Sequence, residues 1–484
     1  MVFASGIFLF IFLPVTIAGN WILRNQKTWL KNAFLLIMSA AFYLECGVEQ
    51  FLLLIASIVV NYSFALLINA AHTKKQLKIK KGFLIINIIY NIGALFAFKY
   101  LSFVLGEISF LFGDKLTNSF SVALPLGISF YTFQALSYVV DVYRDNSKVE
   151  KNIINVALYI MFFPQLVAGP IVRWDSIRTE LTMKKRRGYW NEGIERFTIG
   201  LAKKVIIANQ MAVFADKAFT LLDEGNLTIG FAWLGAIAYT LQIYYDFSGY
   251  SDMAIGLGKM FGFNFPDNFN YPYISKSITE FWRRWHISLS SWFRDYVYIP
   301  LGGNRCSKGR MFFNLFVVWM LTGIWHGANY TFWLWGVLYF VFLMLEKAFI
   351  NTSNKDESNV IISILKHFYT MVVVVVLWVV FRSDSIGQAV NYIIHMVRNM
   401  EVADTSFATG VTELYFRNFI GYGTLAIIGC TPWYTRLKEY INKQTNKQTN
   451  KASAICQIWI VLVFVLACCV TIDSDYNPFI YFNF

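Results

Sequence analysis

The sequence predicts an all-α polytopic membrane protein, and its composition and the length of its apolar runs support this. Its 484 residues are 57% hydrophobic and 18% aromatic, but only 15% are charged. A soluble globular domain carries about a quarter charged residues. Apolar runs long enough to cross a bilayer recur from one end of the chain to the other. We therefore expect a single transmembrane domain over residues 1–484 and no soluble domain.

The apolar segments follow one another closely and predict about ten to twelve crossings. They lie near residues 2–19, 32–45, 50–70, 83–105, 119–142, 153–172, 195–214, 228–247, 311–325, 331–349, 361–381, 416–431 and 456–472. Some are too short to span, which indicates re-entrant or kinked helices. The first run lacks a basic region before it, so we interpret it as a retained span rather than a cleaved signal peptide.

The net charge of +13 comes from basic residues between the apolar runs, as the positive-inside rule describes. Two apolar segments separate the basic loops at 24–31 and 74–81, so both loops can be cytoplasmic, which places the N-terminus outside. The basic stretches 184–187 and 436–451 are further cytoplasmic candidates. The six cysteines form no C-x-x-C pair, so neither a zinc site nor a disulfide framework is indicated.

The stretch "MFFPQLVAGPIVRW", Met161 to Trp174, holds Pro164 and Pro170 around Gly169. Proline interrupts helices because it removes a donor and clashes with the preceding turn. Non-helical backbone at membrane depth is tolerated only inside protein or beside a cavity. Two interpretations follow: a re-entrant segment that helps to wall a tunnel, or a loop at the membrane surface.

The segment "FWRRWHISLSSWFRDYVYIPLGGNR", Phe281 to Arg305, predicts an amphipathic helix at the membrane interface. An aromatic face at helical spacing is interleaved with arginines: Trp282, Trp285, Leu289 and Trp292 with Arg283, Arg284 and Arg294. Simple anchoring accounts for most of these residues. His286 is the exception, since this spacing puts it on a polar strip, one turn after Arg283 and one turn before Ser290.

His326 is the most unusual residue, because "LTGIWHGANYTFWLWG" places an ionisable imidazole between two long apolar runs. Such residues are costly in membranes and usually face the protein interior or a wet cavity. An imidazole can accept or give a proton near neutral pH. Gly323 and Gly327 flank it and allow backbone or substrate to approach closely. We assign no role to His72, His367 and His395.

A third cluster, "YYDFSGYSDMAIGLG", contains Asp246 and Asp252 after a long apolar run. These carboxylates could orient a histidine or hold a substrate hydroxyl. The alternative is a helix interruption whose polar side chains satisfy loose backbone groups. That alternative is favoured for Asp252, and both stay open for Asp246.

Several catalytic motifs are absent from the sequence: there is no G-x-S-x-G elbow, no P-loop and no H-E-x-x-H. No convincing internal repeat supports alternating access. The residues alone therefore favour histidine-based proton transfer on a membrane-soluble or membrane-crossing substrate. They do not name the group that is transferred.

These motifs resemble the membrane-bound O-acyltransferase family, and within it the bacterial alginate and peptidoglycan O-acetyltransferase membrane subunits. The resemblance covers nearly the whole chain. The matching stretches are "MVFASGIFLFIFLPV", "FFPQLVAGPIVRW", "YYDFSGYSDMAIGLGKMFGFNFPDNFNYPY", "ITEFWRRWHISLSSWFRDYVYIPLGGNR", "LTGIWHGANYTFWLWG" and "NPFIYFNF". The resemblance implies a ring of tilted helices, with re-entrant and interfacial helices, around a central tunnel.

By this resemblance, His326 matches the catalytic histidine and His286 the second characteristic histidine. The implied reaction moves an acetyl group from a cytoplasmic donor, acetyl-CoA, towards a polysaccharide hydroxyl outside a bacterial inner membrane. A separate SGNH-type esterase-like protein would complete the transfer, and no metal is required. The other candidate donor-binding or orienting residues are Asp246, Arg283, Arg284, Ser290 and Asn329. Both arginines could meet donor phosphates if this helix faces the cytosol, and surface anchoring explains them equally well.

Two alternatives accompany this interpretation. A D-alanyl transferase of the teichoic-acid type belongs to the same family and takes its acyl group from a carrier protein. A transporter or flippase without acyl chemistry predicts substrate movement that survives replacement of His326. Within the favoured interpretation, His326 acts as a general base or carries the acyl group itself, and the base is preferred.

Overall fold

The computed structural model describes residues 3–108, 124–183, 189–349, 359–444, 450–473 and 479–480. Within these ranges the regular structure is helical and contains no strand, which confirms the all-α prediction. The basic stretch 184–187, part of the stretch 436–451 and most of the terminal "NPFIYFNF" lie outside the described residues.

The chain divides into two compact units. The first unit is Met1–Phe197 with Tyr250–Pro266, and the second is Thr198–Gly249 with Asp267–Phe484. Two long helices, Trp190–Ala202 and Ile229–Phe261, have residues in both units. The expectation of one transmembrane domain stays a prediction.

The remaining helices of the first unit lie between residues 8 and 182. They are Phe8–Phe12, Leu13–Ile22, Leu23–Asn25, Thr28–Leu44, Val48–Thr73, Leu77–Lys99, Leu101–Glu107, Ile128–Arg144, Asn146–Lys148, Ile153–Met161, Phe163–Leu166 and Trp174–Thr182. Those of the second unit are Lys203–Ala208, Asn209–Asp223, Pro272–Ile274, Ile278–Arg284, Ile287–Phe293, Arg294–Tyr298, Lys308–His326, Tyr330–Phe349, Val360–Arg382, Ile386–Val397, Thr405–Gly429, Trp433–Gln444 and Asn450–Asp473.

Six helical segments among the described residues are long and apolar enough to cross a membrane. They are Phe8–Asn25, Val48–Thr73, Leu77–Lys99, Trp190–Asp223, Tyr330–Phe349 and Val360–Arg382. Shorter apolar helices cover Thr28–Leu44 and Gln457–Ile472. The protein is therefore a multi-pass membrane protein, whereas the expected ten to twelve crossings stay a prediction.

Two spans of the first unit, Val48–Thr73 and Leu77–Lys99, are joined by a buried cluster of asparagines. Asn61 accepts hydrogen bonds at Oδ1 from the side-chain amides of Asn87 and Asn91, both over 2.9 Å. Asn61 in turn donates to Asn91 Oδ1 over 3.2 Å. Hydrogen bonds of this kind hold helices together in a bilayer. Apolar side chains alone do not, because lipid tails are as apolar as the surface of another helix.

The proline-rich stretch beginning at Met161 is buried within the first unit rather than exposed on its surface. Every residue from Met161 to Val172 is buried, and its helix Phe163–Leu166 has only four residues. Gln165 Nε2 donates to the Tyr159 carbonyl over 2.6 Å, and Tyr159 Oη donates to the Val172 carbonyl over 2.9 Å. Burial inside the protein does not fix the depth of this stretch in the membrane, so the re-entrant segment and the loop at the membrane surface both stay open.

Close backbone contact joins helices Lys308–His326 and Tyr330–Phe349 in the second unit. A Cβ atom on Gly323 would lie 2.5 Å from the Phe332 carbonyl oxygen, and one on Gly327 would lie 2.6 Å from the Phe332 ring. Both glycines therefore permit the tight turn that follows His326, as the predicted backbone approach requires.

Candidate active site

His326 is the last residue of helix Lys308–His326 and is only 4% exposed. Aromatic rings surround its imidazole. Ring centroids lie 4.9 Å away for Trp325, 5.0 Å for Phe381 and 5.2 Å for Trp335, each at a steep interplanar angle. An imidazole in such surroundings is shielded from bulk water, which strengthens its interactions with a substrate.

His286 lies at a break between two short helices, not inside one amphipathic helix. Helix Ile278–Arg284 ends before Trp285, His286 adopts a left-handed conformation with φ of 45°, and a new helix covers Ile287–Phe293. The predicted continuous helix is therefore wrong. No glycine or proline lies at the break, so the sequence pattern does not predict it.

Asn268 stabilises this break from a loop that precedes it in the chain. Its side-chain Oδ1 lies 3.1 Å from His286 Nδ1, and it accepts from Ser288 N over 3.2 Å and from Ser288 Oγ over 2.8 Å. Its backbone carbonyl accepts from Ile287 N over 2.9 Å. Asn268 is fully buried, so it fixes both the backbone turn and the imidazole.

Trp325 connects the two histidines. Its ring centroid lies 6.0 Å from that of His286 and 4.9 Å from that of His326. Phe247 also packs against His286, and the centroids of these two rings lie 4.6 Å apart. The structure therefore brings both predicted histidines into one aromatic-walled region of the second unit.

Burial lowers the pKa of His286 to about 3. The cause is the loss of water around the charged form, which penalises imidazolium in an apolar environment. His286 lies outside the six candidate spans and is 1% exposed. Its imidazole is therefore neutral at physiological pH.

The tryptophans of the predicted interfacial face pack inside the second unit. Trp282, Trp285 and Trp292 are 9%, 2% and 6% exposed. Trp282 contacts Trp319 and Tyr339, with ring centroids 4.8 and 4.9 Å apart. The predicted role of this face at the membrane interface is therefore wrong, because the broken helix turns its aromatic residues towards the protein.

Glu346 anchors the helix that leads to His286. Its carboxylate accepts hydrogen bonds from Ile278 N, from Thr279 N over 3.0 Å and from Thr279 Oγ1 over 2.9 Å. Glu346 lies on helix Tyr330–Phe349, which begins just after His326. This contact ties the His286 segment to the helix that follows His326.

The partners of the Asp246 carboxylate are a lysine side chain and a backbone N–H group. It is 2% exposed and pairs with Lys204, whose Nζ lies 2.6 Å from Oδ1. Its Oδ2 accepts from Ile480 N over 2.6 Å. The carboxylate therefore neutralises a buried lysine and holds a segment near the C-terminus, rather than orienting an imidazole as one interpretation expected.

The helix that carries Asp246 continues without interruption from Ile229 to Phe261, so the alternative of a helix break is also wrong. Asp252, in the first unit, accepts from Arg196 Nε over 2.6 Å. Both carboxylates are thus partners of buried or half-buried cations, an arrangement that intramembrane charges require.

The remaining candidates near His286 divide into one structural residue and two exposed ones. Arg284 Nε donates to Glu280 over 2.9 Å, and its Nη1 donates to the Asn270 carbonyl over 3.1 Å. Arg283 and Ser290 are exposed. The predicted polar strip is therefore wrong. The chain turns at His286, so its imidazole is buried whereas the side chains of Arg283 and Ser290 are exposed.

Asn329 has a local structural role at the start of helix Tyr330–Phe349. Its Oδ1 accepts from Thr331 N, and its Nδ2 donates to the Asp384 carbonyl, both over 3.0 Å. It therefore caps the turn after His326. His367 and His395, to which no role was assigned, place Nδ1 2.9 Å from the Ser275 and Asn391 carbonyls.

Comparison with known proteins identifies the family. The family model of the membrane-bound O-acyltransferases matches residues 49–379. The chain belongs to the membrane-bound O-acyltransferase family. It is thus a membrane acyltransferase, and both histidines lie inside the matched region.

Relatives within the family differ in the group they transfer. A probable alginate O-acetylase of Pseudomonas aeruginosa is 42% identical over 94% of this chain and 85% of its own length. A peptidoglycan O-acetyltransferase of Helicobacter pylori is 35% identical over 82% of this chain and 80% of its own length. A teichoic acid D-alanyltransferase of Bacillus subtilis is 32% identical, but over 48% of this chain and 60% of its own length.

Sequence reasoning overlooked three polar residues of the second unit: Asn268 and Glu346, which hold the His286 segment, and Lys204, which pairs with Asp246. Asn268 lies in the turn-forming stretch "FPDNFN", which predicts a loop but not its partner. Glu346 and Lys204 are charged residues inside apolar runs, and that signal could have marked them as buried partners.

Proposed function

We propose that the protein is a polysaccharide O-acetyltransferase. It takes an acetyl group from acetyl-CoA at the cytoplasmic side of a bacterial inner membrane and passes it towards a hydroxyl of a polymer such as alginate or peptidoglycan. A separate extracytoplasmic SGNH-type protein completes the transfer. The observation that carries the proposal is the pair of buried imidazoles, His286 and His326, that both contact Trp325.

In this reaction His326 acts as the general base. A hydroxyl oxygen attacks the thioester carbonyl while His326 takes the hydroxyl proton; the carbon–sulfur bond then breaks, and the proton passes to the leaving thiolate. An ester and a free thiol are the products, so atoms and charge balance without a metal. The alternative is nucleophilic attack by His326, in which the imidazole carries the acetyl group between the two steps.

Two arginines next to His286 in the sequence are the candidates for binding the acetyl-CoA donor. Arg283 is exposed and is available for a donor phosphate, whereas Arg284 is engaged by Glu280. Of the two arginines, Arg283 is therefore the better candidate for contact with the phosphates of acetyl-CoA.

The first experiment compares His326→Gln with His395→Gln in cells at matched membrane abundance. His395 is a suitable control because it is also a buried histidine of the second unit, at 9% exposure. Ester-linked acetate and ester-linked D-alanine are released from the cell's polymers by mild base and quantified. We expect His326→Gln to lower the amount of ester-linked acetate at least about 100-fold. We expect His395→Gln to leave that amount unchanged.

Two results would contradict the acetyltransferase proposal. Loss of D-alanyl esters with acetate unchanged would favour the teichoic-acid type of transfer, for which the partial similarity to the D-alanyltransferase is the supporting observation. Full acetylation in His326→Gln would remove His326 from the chemistry and favour transport without acyl transfer.

A further inference from the structure

The contacts of Asn268 determine which ring nitrogen of His286 carries the hydrogen. The amide oxygen and nitrogen of an asparagine have nearly the same shape, so their assignment depends on their partners. Here the backbone N–H of Ser288 points at the same Asn268 atom as His286 Nδ1, over 3.2 and 3.1 Å. A backbone N–H only donates, so that atom must be the acceptor oxygen.

An amide oxygen has no hydrogen to give, so His286 Nδ1 must be the donor. A neutral imidazole carries one hydrogen, and the second nitrogen, Nε2, then holds the lone pair. Bulk water does not compete for these atoms, because Asn268 is fully buried and His286 is 1% exposed. The Ser288 hydroxyl, 2.8 Å from the same oxygen, completes the site.

The surroundings keep the ring in its neutral state. Phe247 packs against it from helix Ile229–Phe261, Trp325 from helix Lys308–His326, and Asn268 from the preceding loop. None of these three side chains ionises. Burial accordingly lowers the pKa of His286 to about 3, so the neutral tautomer persists between pH 5 and 8.

We propose that Asn268 is a positioning residue that holds His286 as the Nδ1–H tautomer, so that His286 meets the substrate as a hydrogen-bond acceptor. Its role in the reaction rests on the proposed function. Nε2 takes a hydrogen bond from an O–H or N–H group of the substrate and donates none to the thioester carbonyl. Other donors must then stabilise the negative charge that develops on that carbonyl oxygen.

Nitrogen NMR of the full chain, labelled with ¹⁵N-histidine and held in lipid nanodiscs, tests the tautomer directly. The chain has five histidines, and loss of a signal pair in His286→Gln identifies His286. We expect a protonated Nδ1 and an unprotonated Nε2 that do not change between pH 8 and pH 5. A hydrogen on Nε2 of the wild-type residue would overturn the proposal.

Two variants of Asn268 test whether this residue determines the tautomer of His286. Asn268→Leu keeps the approximate volume but removes the acceptor, so the His286 signals should change to the Nε2–H form or to a mixture. Asn268→Asp keeps an acceptor oxygen and should keep the Nδ1–H form at pH 8. The other four histidine signals report whether each variant is folded, and an unchanged tautomer in folded Asn268→Leu would also overturn the proposal.

Activity gives a second readout. We expect Asn268→Leu to reduce acetyl transfer about 10–100-fold, as loss of an orienting partner commonly does. Asn268→Asp should retain most activity at pH 8 but lose it progressively towards pH 6, because a carboxylate beside Nδ1 favours imidazolium and removes the lone pair. A purely structural role of Asn268 would shift no pH profile, so parallel profiles for Asn268→Asp and wild type would contradict the proposal.

The two proposals fail separately. The NMR measurement needs no substrate and reports only the tautomer of His286. If His326→Gln retains acetylation while the tautomer depends on Asn268, the proposed function is wrong and the positioning role of Asn268 stands.

Discussion

The two imidazoles of the site are positioned by different means, although both are buried. His326 ends a regular helix and is fixed by the packing of Lys308–His326 against Tyr330–Phe349. His286 has a φ of 45°, a conformation that costs a non-glycine residue about 1–2 kcal/mol. The hydrogen bonds of Asn268 offset this cost, and such strain is common where a side chain must be held in one direction.

The neutral state of His286 predicts a dependence of stability on pH. Its pKa is about 3 in the folded protein and about 6.5 in the unfolded chain. Between these values the unfolded state binds more protons, so stability falls as the pH falls below about 6.5 and does not change above it. From pH 7.5 to pH 5, thermal unfolding should show wild type losing about 2 kcal/mol relative to His286→Gln. Equal losses in the two proteins would contradict this.

The buried pair of Lys204 and Asp246 predicts strong coupling between the two residues. Lys204→Met and Asp246→Asn should each cost about 3–5 kcal/mol, because Lys204→Met leaves a buried carboxylate and Asp246→Asn a buried ammonium without its counter-charge. The double variant removes both charges, and Asn at 246 can still accept from Ile480 N. It should therefore regain most of the stability in thermal unfolding. Additive losses would show that the two charges do not stabilise each other.

At the scale of elements, the helix Ile278–Arg284 is too short to be stable by itself and depends on its anchors. Ser277 caps its first turn by accepting from Glu280 N over 3.0 Å. Glu346 accepts from two further backbone N–H groups. These partners fix the direction in which the chain enters the turn at His286.

Removal of the Glu346 carboxylate should destabilise this element. Glu346→Ala leaves three donors without their acceptor and should cost about 3 kcal/mol, and Glu346→Gln, which keeps one acceptor oxygen, should cost less. Glu413→Ala is the control, because Glu413 forms an exposed pair with Arg417 worth about 0.5 kcal/mol or less. Thermal unfolding of the three variants checks the order, and a Glu346→Ala protein as stable as Glu413→Ala would disprove the anchor.

Long apolar elements were predictable and the broken one was not. The apolar runs near 50–70 and 331–349 correspond to helices Val48–Thr73 and Tyr330–Phe349, because hydrophobic length is a local property of the sequence. The spacing of Trp282, Trp285 and Leu289 suggested one helix. This prediction of one helix was wrong because the acceptor that stabilises the break, Asn268, lies outside the segment that the spacing describes.

At the scale of the whole molecule, the basic loops predict the direction in which the chain enters the membrane. In a variant whose six cysteines are replaced by serine, Glu45→Cys should react with a membrane-impermeant maleimide added to intact spheroplasts. Gln76→Cys, in the basic loop 74–81, should react only after the membrane is opened. Both positions are exposed. The reverse pattern would place the N-terminus in the cytoplasm and contradict the positive-inside interpretation.

The class of the protein follows from its amino-acid sequence, and the same sequence points to His286 and His326 as the candidate site residues. Hydrophobic length and low charge required membrane helices, since lipid excludes unsatisfied backbone. His326 was conspicuous because an imidazole is costly among apolar residues. His286 was singled out by an assumed polar strip that the structure does not contain, and the resemblance of its motif supported it independently.

The partners of the other polar residues become visible only in the folded protein. It assigned Asp246 to Lys204, Arg284 to Glu280, and Asn329 to a helix cap, and it introduced Asn268 as the partner of His286. Local periodicity describes which face a residue would occupy if its helix continued. The partner of a buried polar group is selected by packing between distant segments, where each unpaired group would cost several kcal/mol, so neighbours in sequence do not reveal it.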